Sequence, residues 1–295
     1  MAITHQFDYT RPKSLREALA LLARHPNSAI LAGGTDLIDM IKSNAAQPDI
    51  VVDIKGIPSF RKIRIENNKL HIGAGVTFSD LIESRIIHQK FPVIVELAKT
   101  VASVGIRNRA TVVGNICSAV PCMDSGPLLL AYDASVQTVG PRGKRRIPVE
   151  EWFVAPRKTG LRKREIVTEV ILPLPRKKHA GCWVKLGRYA GQDLAQVSVL
   201  ILALADGTFR ISYGAVAPVP IRARKIERLL NGQNIVPSLI EKASQLIEEE
   251  IKPITDIRAS KEYRMHMAKV MLERGLKAAL SRLNSSGPAY GTSVI

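Results

Sequence analysis

A turn from strand to helix is encoded by residues 29–41, which read AILAGGTDLIDMI. The apolar start of this stretch predicts a short buried strand, and the apolar residues from position 37 onward predict a helix. Between them, Gly33 and Gly34 would let the backbone approach a phosphate closely, and the start of a helix favours an anion. Thr35 adds a hydroxyl donor. The stretch therefore predicts an anion-binding turn in an α/β unit, and a plain tight turn is the alternative for the same residues.

The flanking residues extend this unit on both sides. Ser14 and Glu17 form a capping-box pair before apolar positions at helical spacing, which predicts a first helix. Residues 49–54 have the apolar run of another strand. Helix, strand, glycine loop, helix and strand together predict a small α/β part over residues 1–55.

The remaining chain is predicted to divide into a β-rich part, a second domain and a tail. Residues 56–175 contain several strand-like runs, and the Pro-Leu-Pro at 173–175, followed by three basic residues, marks a boundary. Residues 176–283 contain three strand-like runs and two amphipathic helices. The polar, Gly- and Ser-rich tail 284–295 is expected to be disordered. The expected fold class is α+β, with a three-stranded antiparallel sheet and helices in the C-terminal domain.

A second loop of small residues lies at 111–115, with the sequence TVVGN. The β-branched residues before Gly114 favour a strand that ends at this glycine. Two glycine loops could clamp a pyrophosphate from opposite sides, and Asn115 could bond a phosphate or a ring. A strand that simply ends at a glycine is the alternative.

Composition restricts the class of partner and the compartment. The chain has 295 residues and a net charge of +17, with the basic excess concentrated between Arg142 and Arg164. It has no zinc-finger spacing, basic zipper or aromatic RNA-binding motif, so specific nucleic-acid binding is not expected. Three cysteines, no secretory signal and no apolar run of membrane length predict a cytoplasmic protein without a disulfide framework or membrane span.

No side-chain constellation predicts catalysis by the protein alone. The six histidines are scattered without metal-ligand spacing, and the serines lack the flanking glycines of a nucleophile elbow. Cys117 and Cys122 fit buried thiols better than an iron–sulfur cluster. No catalytic residue and no metal ligand is therefore assigned, and a bound cofactor is expected to supply the chemistry.

These motifs resemble those of the flavin subunits of molybdopterin dehydrogenases. That family includes the medium subunits of carbon monoxide dehydrogenase-like enzymes and the flavin domain of xanthine dehydrogenase. The matches follow the family's order over nearly the whole chain. They are residues 31–37, 106–108, 111–115, Asp124, 185–188 with Asp193 and Ala195, 214–218, 221–223 and 263–264.

The resemblance implies a two-part FAD-binding domain of the vanillyl-alcohol-oxidase type over residues 1–175. It also implies that both loops hold the FAD pyrophosphate, that Asp124 contacts the flavin or its ribityl chain, and that Lys185 lies near the ring. Val167 is implied as a further contact. The implied FAD-binding residues are Ala32, Gly33, Gly34, Thr35, Asp36, Thr111, Val112, Val113, Gly114, Asn115, Asp124, Val167 and Lys185.

Two departures from the family pattern bear on the cofactors. The family usually has Gly-Gly in the second loop, but this chain has Val113, which disfavours a positive φ. Either Val113 points away from the cofactor or FAD binding is altered. Some relatives carry a cysteine-rich insertion for an extra cluster, and this chain has neither the insertion nor those cysteines.

The resemblance further implies a function in electron transfer within a complex. A large molybdenum–pterin subunit would oxidise the substrate, and a small subunit with 2Fe-2S clusters would relay electrons to FAD on this chain. The electrons would then pass to NAD⁺, a quinone or oxygen, and a dimer of heterotrimers fits the family. Two alternatives stay open: a free-standing flavoprotein oxidoreductase of the same fold, and a flavin-free basic binding module.

Overall fold

A computed structural model describes residues 3–189 and 192–295 of the chain. The N-terminal α/β part is a three-stranded parallel sheet in the order β1-β3-β2. Because the strands are parallel, their carboxyl ends lie at one edge of the sheet, where the glycine loop follows β2. Its elements are β1 Asp8–Thr10, α1 Leu15–Arg24, β2 Ser28–Leu31, α2 Leu37–Lys42 and β3 Ile50–Asp53.

The larger part of the N-terminal domain, over residues 56–175, surrounds a five-stranded antiparallel sheet in the order β4-β5-β10-β6-β7. Two 3₁₀ turns, Ile54–Gly56 and Pro58–Arg61, lead into it. The sheet is formed by β4 Ile63–Glu66, β5 Lys69–Gly73, β6 Ser135–Gly140, β7 Gly143–Pro148 and β10 Ile166–Pro173. In the same part of the domain, β8 Phe153–Ala155 and β9 Lys158–Thr159 pair as a separate two-stranded sheet. Its helices are α3 Phe78–Glu83, α4 Arg85–Lys90, α5 Pro92–Lys99, α6 Val104–Arg107, α7 Val112–Ser118, α8 Ser125–Ala131 and α9 Val149–Trp152.

The C-terminal domain is an antiparallel sheet covered by helices, as predicted, but the sheet has four strands and not three. The fourth strand escaped prediction because it has only two residues, too few for a sequence period. The strands are β11 His179–Leu186, β12 Val197–Leu204, β13 Phe209–Gly214 and β14 Ile221–Arg222. The helices are α10 Arg224–Leu230, α11 Pro237–Gln245, α12 Ile247–Glu250 and α13 Lys261–Leu283.

Strand β12 shows how the two domains are joined. All its residues are buried, and alternate side chains enter two different cores. Leu200, Leu202 and Leu204 pack with the N-terminal domain, whereas the residues between them pack against the C-terminal helices. A sheet covered on both faces needs an almost continuous apolar strand, which explains the sequence VSVLILAL. The two domains are therefore joined through the buried side chains of β12, next to the site described below.

The valines before Gly114, predicted to end a strand, instead begin the short helix α7. Thr111 caps it, because its hydroxyl accepts a hydrogen bond from the Gly114 N–H at 2.9 Å. An N-terminal cap followed by tertiary packing overrides the strand preference of two valines.

The C-terminal segment 284–295, expected to be disordered, lies against the body of the protein. The Tyr290 hydroxyl accepts from the Gly181 N–H at 3.2 Å, and the Arg282 guanidinium lies 4.2 Å from the Tyr290 ring centre. The Gly291 N–H donates to Glu96 at 2.9 Å. The Tyr290 ring and the buried Glu96 carboxylate thus hold in place a segment whose composition is typical of a flexible tail.

The basic segment after residue 142 includes strand β7, an outer edge of the five-stranded sheet. Lys144 and Arg146 are exposed, while Arg145 pairs with Glu165 at 2.7 Å. Charged side chains on an edge strand discourage pairing with another chain. In the described ranges, no helix is both long enough and apolar enough to cross a membrane.

Candidate functional site

The glycine loop after β2 makes direct backbone contact with the segment before α7. A Cβ atom added at Gly33 would lie 2.2 Å from the carbonyl oxygen of Arg109, so only glycine fits there. Gly34 has a φ of +81°, which also favours glycine. Lys55 donates to the Ala32 carbonyl at 3.1 Å and so holds the start of the loop. The close approach that requires glycine at position 33 is therefore to the other loop, and the predicted approach to a phosphate stays a prediction.

The second loop is the first turn of α7, and its residues face in two directions. Thr111, Gly114 and Asn115 border the cleft between the loops. Val112 and Val113 are only 1% and 4% exposed and pack in the core. Since Val113 has helical geometry and an inward side chain, the positive φ that valine resists is not required here.

A cavity of about 230 Å³ lies between the two loops. Residues 32–36 of the glycine loop line it, together with an apolar set of side chains. That set consists of Ile30, Leu37, Met40 and Cys117. Ser118 donates a hydrogen bond to the carboxylate of Asp36 and so links α7 to the glycine loop.

A second cavity of about 390 Å³ continues from the first toward the C-terminal domain. The two cavities share Thr35, Asp36, Ala110 and Asn115, which makes them one elongated cleft. The N-terminal domain contributes an apolar wall to the second cavity. That wall contains Phe78, Val101, Ala102, Ile106 and Met123.

A buried ion pair joins the domains at the far end of the cleft. Lys185, near the end of β11, donates to Asp124 at 2.8 Å and to the Thr100 carbonyl at 3.0 Å. Both charged side chains are less than 10% exposed. Burial raises the pKa of Asp124 above its ordinary value, against the opposing effect of the Lys185 charge. The second carboxylate oxygen of Asp124 is buried without a hydrogen-bond partner.

The mouth of the second cavity is bordered by the loop after β11. Arg188 and Asp193 lie there, and the Arg188 N–H donates to the Asp193 carboxylate at 2.6 Å. Burial works to raise the pKa of Asp193, but hydrogen bonds from Arg188 outweigh it and lower the pKa. Arg258, from the segment before α13, also borders this cavity.

Most of the residues predicted to bind FAD are brought together along this cleft. They are Ala32, Gly33, Gly34, Thr35, Asp36, Thr111, Gly114, Asn115, Asp124 and Lys185. The side chains of Val112, Val113 and Val167 lie in the core instead. Sequence reasoning missed Ser118 and Arg258, which belong to no glycine loop or charge pattern.

The cleft fits an elongated dinucleotide such as FAD. It combines apolar lining residues, a glycine turn of small residues that ends at the Asp36 carboxylate, and a wider cavity bordered by the buried Lys185 cation. Because one oxygen of Asp124 is buried without a hydrogen-bond partner, a polar group of a ligand would be favoured beside it. These features agree with the sequence expectation of an FAD site.

Comparison with known proteins agrees with this geometry. The family model described as "FAD binding domain in molybdopterin dehydrogenase" matches residues 5–175, and "CO dehydrogenase flavoprotein C-terminal domain" matches residues 184–279. A xanthine dehydrogenase FAD-binding subunit from Escherichia coli O157:H7 is 32% identical, over 92% of this chain and 96% of its own. A carbon monoxide dehydrogenase medium chain from Hydrogenophaga pseudoflava is also 32% identical, over 95% and 99%.

Solved structures show the same arrangement of both domains. A chain of carbon monoxide dehydrogenase from Hydrogenophaga pseudoflava superposes with a TM-score of 0.91 at 33% identity, covering 96% of this chain and 99% of that one. A chain of quinoline 2-oxidoreductase from Pseudomonas putida 86 gives a TM-score of 0.90 at 26% identity, covering 96% and 100%. The two-domain FAD-binding fold expected from the sequence is therefore confirmed. The chain belongs to the family of FAD-binding subunits of molybdopterin dehydrogenases, and it is an FAD-binding oxidoreductase component.

Proposed function

We propose that this chain holds FAD along the cleft and serves as the electron-transfer subunit of a three-subunit dehydrogenase. The observation that carries the proposal is the continuity of the cleft from the glycine loop to the buried Asp124–Lys185 pair. The pyrophosphate would lie at residues 32–36 and 111–115, and the flavin ring would lie at the ion pair. The apolar set that includes Met40 suits an adenine ring.

At the phosphate end, the backbone supplies the binding groups. No lysine or arginine borders the first cavity in the part of the chain that the structure describes. The Thr111 hydroxyl already accepts from Gly114, so its proton is available to an acceptor in the cleft. Amide and hydroxyl donors around a glycine turn form an anion-binding concavity without a charged side chain.

At the ring end, Lys185 supplies a positive charge that is held in place. An ammonium group has three N–H donors, and two of them are used by Asp124 and Thr100. The third can donate into the cleft. A negative charge that develops beside Lys185 would be stabilised in these dry surroundings, and Asp124, with its raised pKa, could take up a proton as compensation.

Bound FAD would supply redox chemistry, taking electrons from 2Fe-2S clusters of a small partner subunit and passing them to NAD⁺ or another acceptor such as a quinone or oxygen. A large molybdenum–pterin subunit would carry out substrate oxidation, and a dimer of such heterotrimers in the cytoplasm is the assembly we propose. The similarity to medium chains of carbon monoxide dehydrogenase supports this arrangement. This chain's own part is to bind, orient and electrostatically tune the cofactor.

The proposal is tested on the purified full-length chain. We expect about one FAD per chain by absorbance after heat release. The dithionite-reduced protein should be reoxidised by NAD⁺, a quinone analogue or oxygen in stopped-flow mixing. Lys185→Met should slow that reoxidation and shift the flavin potential while FAD stays bound. Substrate turnover by the isolated chain would instead indicate a free-standing oxidoreductase, and a folded chain that binds no FAD even with its partner subunits would contradict the proposal.

A further inference from the structure

A third cavity, of about 270 Å³, lies between the two parts of the FAD domain and is strongly basic. Four cationic side chains border it: Arg11, Lys55, Arg61 and Arg109. Lys55 holds the Ala32 carbonyl at the start of the glycine loop, but the proposed handling of FAD uses none of the three arginine side chains. Their convergence on one cavity therefore needs its own explanation.

The fold brings these cations together from four separate segments. Arg11 follows β1 and Lys55 follows β3, so both lie at the carboxyl edge of the parallel sheet. Arg61 ends the second 3₁₀ turn, and Arg109 lies between α6 and α7 in the β-rich part. Each part of the FAD domain thus contributes two positive charges to a shared cavity.

The local carboxylate does not neutralise this charge. Asp53 is 2% exposed and accepts hydrogen bonds from the Tyr9 hydroxyl at 2.5 Å and from the Lys55 backbone at 2.9 Å. Its salt bridge goes to Lys55, also at 2.9 Å. Within residues 3–189 and 192–295, no carboxylate oxygen lies within 4.0 Å of the Arg11, Arg61 or Arg109 guanidinium. Arg11, Arg61 and Arg109 are exposed residues that border one cavity, and none has a carboxylate partner there.

This basic cavity differs from the phosphate end of the FAD cleft. The two share only Ala32 and Thr111, and the backbones of Gly33 and Arg109 meet directly beside them. The cavity that reaches Lys185 shares no lining residue with the basic cavity. A ligand in the basic cavity would therefore border the FAD loops at Ala32 and Thr111 without entering the part of the cleft that leads to Lys185.

We propose that the basic cavity is a second anion site, which binds a small phosphate-class oxyanion. Guanidinium forks match two oxygens of a tetrahedral anion, and the cavity also offers the side chains of Asn108 and Thr77. An anion held by Arg11 and Arg61 joins the two parts of the FAD domain. It offsets the repulsion that the unoccupied arrangement of charges creates.

Occupancy of this site is coupled to FAD binding through two contacts. Lys55 donates to the carbonyl of Ala32, at the start of the glycine loop, and Arg109 supports Gly33 through its backbone. Fixing these residues pre-forms the loop, so the anion and FAD each strengthen the binding of the other. This coupling, unlike the anion site itself, rests on the proposed place of FAD at residues 32–36.

The test is titration of the FAD-loaded full-length chain with inorganic phosphate by calorimetry, at constant ionic strength set with chloride. We expect saturable binding of one phosphate per chain. Arg11→Gln with Arg61→Gln should weaken it at least tenfold, and Arg61→Gln alone should weaken it to a smaller degree. The matched control is Arg24→Gln with Arg85→Gln, two exposed arginines elsewhere, which should leave phosphate binding unchanged.

Phosphate should also lower the FAD dissociation constant several-fold in the wild type and not in Arg11→Gln with Arg61→Gln.

Three results would overturn the proposal. The first is that phosphate shows no saturable binding above the chloride background. The second is that both double variants weaken phosphate binding equally. The third is that the FAD-free chain binds phosphate but loses this binding when FAD is loaded. The last result would place the anion in the FAD cleft. A parallel titration with ADP shows whether the site binds the phosphate of a nucleotide or the free ion. Tighter binding of ADP identifies a nucleotide phosphate, and tighter binding of inorganic phosphate identifies the free ion.

Discussion

The two ends of the FAD cleft are built on different principles. The proposed phosphate end consists of two short, locally continuous loops that would bind through backbone amides and hydroxyls. The ring end depends on Asp124 and Lys185, which are 61 residues apart and belong to different domains. A backbone site is sensitive to added atoms, whereas a paired-charge site is sensitive to loss of one partner. The following variants use this difference, in order of decreasing effect on FAD binding.

The largest effect is expected from Gly33→Ala. Its methyl group would meet the Arg109 carbonyl oxygen at 2.2 Å, and neither backbone segment can move without displacing its loop. We expect FAD affinity to fall at least a hundredfold and the unfolding free energy to fall by about 1–3 kcal/mol. Equilibrium dialysis with FAD and urea unfolding measure the two quantities.

The matched control for this change is Gly105→Ala in α6. A Cβ at Gly105 would have its nearest neighbour, the Ser103 hydroxyl oxygen, at 4.0 Å, so the substitution meets open space. It should leave FAD affinity within twofold of the wild type. Normal FAD binding by Gly33→Ala would show that the loop contact does not shape the phosphate end.

At the ring end, Asp124→Asn and Lys185→Met each leave a buried partner without its counter-charge. Breaking a buried ion pair in this way destabilises a protein by about 3–5 kcal/mol, and the open cleft beside Asp124 favours the lower end. The double variant should be less destabilised than the sum of the single variants, because no lone charge remains. FAD affinity should fall about tenfold, less than for Gly33→Ala.

An exposed pair serves as the control for this cycle. Lys277 and Glu273 form a contact of 2.6 Å, but both side chains are at least half exposed. Removing either charge should change the unfolding free energy by less than about 1 kcal/mol. A coupling energy at Asp124–Lys185 no larger than that of this control would show that burial does not strengthen the pair.

The same contrast explains what the sequence could predict. The glycine turn at Gly33 and Gly34 follows from local residue types, and so does the Thr77–Asp80 capping box of α3. Lys185 was placed near the flavin only by resemblance to a family, since no local pattern pairs it with Asp124. The helix at α7 was missed because the Thr111 cap and core packing outweighed two β-branched residues. Arg258 was missed because it borders the cleft only through the packing of the two domains, which no local pattern predicts.

A smaller effect on FAD binding is expected at low pH, because Asp53 supports the first loop through its salt bridge to Lys55. Burial works to raise the pKa of Asp53, but hydrogen bonds from Tyr9 and Lys55 outweigh it and hold the folded-state pKa below the ordinary value. The unfolded chain therefore binds a proton more readily than the folded chain. The stabilisation by Asp53 is complete above its unfolded pKa of about 4 and is lost as the pH falls through the lower folded pKa.

This prediction is checked by urea unfolding between about pH 6 and pH 3, where Asp53 changes its charge. The wild type should lose stability across this window, and Asp53→Asn should be less stable at pH 6 but less dependent on pH. Because Lys55 then lacks its ion pair, FAD should also bind more weakly to Asp53→Asn at pH 6. Identical pH slopes for both proteins would exclude Asp53 as a contributor.

The smallest effect on FAD binding is expected from Val113→Ala. Val113 is 4% exposed, and its side chain packs in the core as part of α7. Losing two buried methyl groups should lower the unfolding free energy by about 1–2 kcal/mol while FAD affinity stays within twofold. Val154→Ala, at a side chain that is 64% exposed, should change neither quantity. A large change in FAD affinity for Val113→Ala would mean that this side chain does shape the phosphate end, and that the loop is not served by its backbone alone.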